Sequence, residues 1–364
     1  MLYNKYIARQ LIHSTLLIAL SLTSIVWLMQ ALRFVDFIVN QGVSILVFMK
    51  LTLLLVPALL LIVLPPAFFC AVIFTYSKLR HDSELVVMQA MGLSSWRLTL
   101  PALKVALIFM LVAYSISFYL QPVSYRAFKD LQVFLRSNYV SILLQEGVFS
   151  SPVEGLTVFI RERHDDGLLK GIIVHDSRKS GTAVTMMADE GTLVQTPQGP
   201  RFLLKDGNRQ EEQDGKLSYL TYDSYALDIS LYTDATGEER TRDPQEMFVH
   251  DLLATDDGAT ERDISKRRAE FHQRILWPAY IPTLALVAIA IFLSGSFNRR
   301  GGVKRITLIA VVGTLVLFSS VGIRGVVTKY PDWSIILYVW WLIPTLLAWY
   351  SLKKDDGSAK VGAV

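Results

Sequence analysis

Cysteine is all but missing from these 364 residues, with Cys70 the only one. A disulfide framework and a cysteine-ligated zinc site are therefore excluded, and any folded part must be held by its own core. The chain also lacks a G-x-x-x-x-G-K-[ST] phosphate loop, a G-x-S-x-G elbow and an H-E-x-x-H pair. It carries no recognisable machinery for ATP hydrolysis, acyl transfer or zinc proteolysis. If energy is used, another subunit supplies it.

Charge is scarce where apolar residues concentrate. Across 51–75, 98–120, 275–294 and 306–323 there is no Asp, Glu or His, and the one basic residue is Lys104, close enough to a span end to snorkel. Acids and histidines inside the membrane form the usual relays, so their absence argues against an ion-coupled transporter.

What is present is six long apolar stretches, at 14–32, 43–76, 98–120, 275–294, 306–327 and 333–352. A helix needs about 20 apolar residues to cross about 30 Å of hydrocarbon, and nothing between 120 and 275 comes near that length. The chain reads as a membrane protein with one large polar insertion, which explains how it is 52% hydrophobic yet 19% charged. The first span continues through Trp27, Met29 and Phe34 without a small-residue cleavage site, so it is expected to stay as an anchor.

The formal charge of +4 comes from Lys and Arg flanking the spans, which argues against nucleic acid as a partner. One set of short segments holds Lys5, Arg9, Lys78, Arg80, Arg97, Lys104, Arg299, Arg300, Lys304, Arg305, Lys353, Lys354 and Lys360; the other holds only Arg33, Lys50, Arg324 and Lys329. By the positive-inside rule both termini are expected in the cytoplasm and the insertion on the far side, the periplasm of a bacterium.

The insertion alternates like β structure. Runs at 156–162, 168–176, 182–187, 192–195, 201–205 and 217–229 are separated by Gly, Pro, Asp and Asn, a spacing that suggests a sandwich or jelly roll. An amphipathic run at 125–144 leads in, and a charged stretch at 243–274 leads out, its last part reading as a solvated helix. Domain boundaries are placed at 1–122, 123–269 and 270–364. His164, Asp165, Asp166, His175 and Asp176 could be drawn as a metal cluster, but turn polarity around a hairpin accounts for them and no metal site is expected. Pro57, Pro65 and Pro66 are expected to kink the second span.

Between spans two and three lies a short capped helix. Asp82 or Ser83 can cap it, Glu84 suits its positive end, and Gly92 can end it in the left-handed conformation with Leu93 packing back. Leu85, Met88 and Gln89 share one face, bordered by Glu84 and Met91. Such a helix either lies against lipid or docks into a cytoplasmic partner, with Met supplying adaptable contact. At the opposite rim, Arg33, Lys50, Arg324 and Lys329 are either snorkelling cations or, for Arg33 and Arg324 above all, contacts for a negatively charged ligand.

These residues resemble the LptF/LptG permease family of the bacterial lipopolysaccharide exporter. The likeness rests on Tyr6-Ile7-Ala8-Arg9, on Asp82-Ser83-Glu84-Leu85-Val86-Val87-Met88 followed by Gly92-Leu93-Ser94, and on Arg268-Ala269-Glu270-Phe271-His272-Gln273-Arg274. The last of these, with Asn298-Arg299-Arg300-Gly301, is more similar to the LptF type. The resemblance implies an α-helical membrane protein of six transmembrane helices with an inserted periplasmic all-β, jelly-roll-like domain. It implies a non-catalytic, cofactor-free subunit paired with an LptG-like permease and an LptB-like cytoplasmic ATPase dimer. LptC-like and LptA-like periplasmic bridge proteins would receive the lipopolysaccharide. It places Glu84, Leu85, Met88 and Met91 at the ATPase, and Arg33 and Arg324 at the lipid A phosphates, with Leu28, Met29 and Phe318 on an apolar cavity wall.

Two other classes fit parts of the pattern. A permease-like subunit of another ATPase-coupled envelope complex, for lipoprotein release or force transmission, is set apart by the three spans that precede the insertion here. A membrane enzyme with its site in the insertion would depend on His164 and His175.

Overall fold

The computed structural model describes residues 2–35, 44–143, 146–153, 155–164, 167–179, 182–196, 199–213, 216–228, 242–254, 260–294 and 302–361. The helices in chain order are α1 (Leu2–Leu32), α2 (Ile45–Leu53), α3 (Val56–His81), α4 (Glu84–Ala90), α5 (Ser95–Ser115), α6 (Gln121–Leu143), α7 (Val249–Leu253), α8 (Glu261–Leu293), α9 (Gly302–Lys329) and α10 (Ile335–Val361). Two compact units result: a membrane unit of Met1–Arg33, Thr52–Ala127 and Asp243–Val364, and an inserted unit of Phe34–Leu51 and Phe128–Arg242.

Among the described residues, six helical segments are long and apolar enough to cross a membrane. They match the six expected stretches, with two differences. The stretch at 43–76 is broken into α2 and α3, and Pro57 sits in the first turn of α3, where its missing N–H has no helical partner to lose; it starts a helix instead of kinking one. Helices also run through both expected domain boundaries: a π-helical turn at Ile116–Leu120 carries α5 on into α6, and α8 begins at Glu261, well before 270.

Helix α8 is the centre of the membrane unit. Of its most apolar window 78% is buried within the chain, against 22% for α1 and α9 and 17% for α10. Buried Ala279, Ala285, Ala288 and Ala290 allow α3, α5, α9 and α10 to approach it, which matters because helices in lipid associate through close packing and hydrogen bonds. One such bond repairs a break in α3. Pro65 has no N–H to offer the Leu61 carbonyl one turn earlier, and the Trp277 indole of α8 donates to that carbonyl instead, at 2.9 Å. Gly313 brings α9 onto α3 so closely that a Cβ there would collide with the Phe69 ring.

The inserted unit holds one antiparallel six-stranded sheet in sequence order: β1 (Phe149–Val153), β2 (Leu156–Arg163), β3 (Leu168–Lys179), β4 (Thr182–Thr196), β5 (Gly199–Gln213) and β6 (Lys216–Asp228). The all-β insertion is as expected, but the strands are longer than the short runs that suggested a sandwich. The runs at 182–187 and 192–195 are one strand, because Ala188, Glu190 and Gly191 keep their ladder partners Gly207, Lys205 and Leu204. One face buries Leu156, Val158, Ile160, Ile172, Val174, Phe202 and Leu204. Among the described residues, these side chains all come from the sheet itself. Gly207 leaves room for Tyr222 to reach across β5 and donate to the Met187 carbonyl of β4 at 3.1 Å.

Candidate functional site

The short helix α4 is built as its sequence suggests at one end and differently at the other. Gly92 has φ +82; Leu93 N–H donates to the Met88 carbonyl at 3.2 Å and Gly92 N–H to Gln89 at 2.9 Å, the paired bonds that close a helix on a left-handed residue. Leu93 packs back on the membrane core. At the start, Ser83 is itself left-handed (φ 62) and its side chain makes no capping bond, contrary to the expected cap. Glu84 stands in the first turn, where the helix dipole favours a carboxylate, and accepts a 3.3 Å hydrogen bond from Tyr6 Oη of α1.

The face of α4 also differs. Leu85 and Met88 are buried in the core of the membrane unit, so they anchor the helix. Val87 and Met91 are exposed, at 56% and 69%, one turn apart on the outward side. Amphipathic spacing marked which residues group together but not which group the core would claim. Glu84 and Met91 stay at or beside the free surface.

A second constellation was hidden in the stretch read as a solvated helix. Arg267, Glu270 and Arg274 at the start of α8 are buried, with 7%, 5% and 2% of their surface exposed. Glu270 Oε1 accepts from Arg274 Nε at 3.2 Å, and Oε2 accepts from Arg324 Nη2 of α9 at 2.7 Å. Arg274 also donates to three carbonyls of the strap returning from the insertion: Met247 at 2.6 Å, Pro244 at 2.9 Å and Gln245 at 3.1 Å. Arg126 of α6 grips the same strap through the Glu246 carbonyl and, at 3.1 Å, through Asp251. Its guanidinium also lies over the Phe248 ring. A cleft of about 280 Å³ opens beside this network, lined by Tyr125, Gln245, Lys266, Glu270, Arg324 and Thr328 among others. Burying several charges is costly unless each is paired and hydrogen-bonded, and here the strap's carbonyls meet that need.

The rim cations thus differ in setting. Arg324 is paired with Glu270 yet one-third exposed, whereas Arg33 is exposed at the end of α1, Lys329 at the end of α9 and Lys50 on α2. Leu28, Met29 and Phe318 are all exposed, at 57%, 64% and 75%, so α1 and α9 both present apolar surface. Of the residues that could form a metal cluster, Asp165 and Asp166 lie outside the described residues, and His175 pairs with Thr185 at 3.0 Å across β3 and β4; the 298–301 loop also lies outside the described residues.

The model of the lipopolysaccharide export system permease LptF/LptG family matches residues 5–352, nearly the whole chain. The chain belongs to the LptF/LptG family. It is 32% identical over 303 residues to an uncharacterized protein of Rickettsia prowazekii (strain Madrid E), covering 82% of this chain and 84% of that one. It is 26% identical over 296 residues to the lipopolysaccharide export system permease protein LptF of Escherichia coli (strain K12), covering 79% and 78%. Six apolar helices with a β sheet inserted in the chain between the third and the fourth fit this family, and the chain is a lipopolysaccharide export permease subunit and a multi-pass inner-membrane protein.

Proposed function

We propose that this chain is the LptF-type half of an ATP-driven exporter that extracts lipopolysaccharide from the inner membrane. It would pair with an LptG-like permease, and an LptB-like ATPase dimer on the cytoplasmic side would drive it. The lipid would pass along the β unit to LptC-like and LptA-like periplasmic bridge proteins. Both termini would be cytoplasmic and the β unit periplasmic, as the Lys and Arg asymmetry across the spans favours. The observation that carries the reading is the family match across 5–352, in a chain that has no phosphate loop of its own.

In this reading α4 is the coupling helix, with Glu84, Val87 and Met91 meeting the ATPase while Leu85 and Met88 seat the helix. Arg33 and Arg324 meet the lipid A phosphates through planar forks that suit phosphate oxygens. The exposed apolar faces of α1 and α9 supply a wall for acyl chains, whose exposure to water costs about 0.8 kcal/mol per methylene. Affinity purification of the tagged chain in mild detergent tests the assembly. An ATPase and a second six-span subunit are expected to accompany it, and recovery of the chain with neither refutes the reading.

A further inference from the structure

The two arginines on Glu270 are not equivalent. Arg274 is 2% exposed at its side chain and has a carboxylate and three carbonyls around its fork, so it is committed inside the protein and out of reach of a ligand in solution. Arg324 keeps 34% of its side chain exposed and lines the cleft with Lys266. One buried carboxylate is shared by two guanidiniums, and the cleft that Arg324 faces is also lined by Lys266 and Asp243. If Arg324 turns to another anion, Glu270 still has Arg274 beside it, so no acid is left buried and alone, the event that makes breaking a buried pair so costly.

From this geometry we propose that Glu270 is the internal counter-ion of Arg324, holding its guanidinium until the phosphomonoester of a lipid headgroup enters the cleft and takes its place. Glu270 is then a positioning residue that sets how tightly the lipid is held and how readily it is released. The proposal rests on the reading of Arg324 as a phosphate contact. It adds a competitor for that contact, covalently fixed to α8. It also ties occupancy to the strap, because the same carboxylate orients Arg274 on the carbonyls of Pro244, Gln245 and Met247.

The test uses the full-length chain purified with its accompanying subunits, carrying a photocrosslinking residue at exposed Val321, one turn before Arg324. Crosslinking is measured with lipopolysaccharide bearing its lipid A phosphates and with phosphatase-treated lipopolysaccharide. Glu270→Gln keeps an acceptor for Arg274 but removes the competing charge. It is expected to raise crosslinking of the phosphorylated lipid about threefold to tenfold, the worth of a partly exposed charged hydrogen bond, and to leave the treated lipid unchanged. Glu270→Asp keeps a charge beside Arg274 and withdraws it from Arg324 by one methylene. It is expected to give a smaller rise, about twofold, and serves if the glutamine variant does not fold. Arg324→Gln, alone or with Glu270→Gln, is expected to bring both lipids to one low level. No rise in either Glu270 variant, or an equal rise for the treated lipid, overturns the proposal. Unchanged crosslinking in Arg324→Gln alone overturns the phosphate reading beneath it, a separate result.

Discussion

Trp277 offers the sharpest test of how this membrane unit is held together. Pro65 leaves the Leu61 carbonyl without its helical donor, and the Trp277 indole stands in at 2.9 Å. Trp277→Phe keeps an aromatic ring and removes the donor. An unsatisfied buried acceptor costs about 1–3 kcal/mol, but interhelical hydrogen bonds in membrane proteins average about 0.6 and reach about 1.7 kcal/mol. A loss of about 1 kcal/mol is therefore expected in reversible unfolding of the detergent-solubilised chain. The decisive measurement is a double-mutant cycle with Pro65→Ala, which restores an N–H one turn after Leu61. In that background Trp277→Phe is expected to be nearly neutral, because the helix now satisfies its own carbonyl. Costs in the two backgrounds that agree to within the few tenths of a kcal/mol by which independent sites deviate refute the repair and leave the indole a packing group only.

Further outcomes follow from the same contacts. Gly313→Ala drives a methyl into Cζ and Cε1 of the Phe69 ring, so it is expected to destabilise by about 1–3 kcal/mol; Phe69→Leu should recover part of that in the double variant, measured by thermal unfolding. Arg274→Ala leaves Glu270 with Arg324 alone and removes a donor from three strap carbonyls, and a loss of about 1–3 kcal/mol for each buried carbonyl left without a partner, with new proteolysis within 242–254, is the expected result. Val87→Asp or Met91→Asp is expected to reduce ATPase co-purification with little change in thermal stability, whereas Leu85→Ala and Met88→Ala lower stability by about 2–5 kcal/mol. Tyr6→Phe removes the bond to Glu84 and is expected to leave stability within about 0.5 kcal/mol, so any loss of ATP-coupled transport reports on how Glu84 is oriented.

Much of this protein was legible because its strongest patterns are long. Six apolar stretches with no acid or histidine inside four of them can only be spans, and alternation from Leu156 to Ile160 gives the buried face of β2. Gly92 could be read as a left-handed stop because no other residue type takes that conformation so readily. Glu270 and Arg274 were misread for the converse reason. A run dense in charge looks solvated, and nothing local shows that the strap's carbonyls lie in wait, 27 to 30 residues away in sequence. Leu85 and Met88 fall on one face by their spacing, but spacing alone does not show that this chain's own core packs against them.

The sequence by itself determined that this chain enters a membrane six times, that a β unit interrupts it after the third, and that it has no phosphate loop. Those follow from composition and period, which act over ten or twenty consecutive residues. Only the tertiary structure decided that α8 is the centre, that Trp277 mends α3, and that Arg324 shares a carboxylate with Arg274. Each depends on groups distant along the chain meeting where water is scarce, and there an unpaired charge or carbonyl is too costly to leave without a partner.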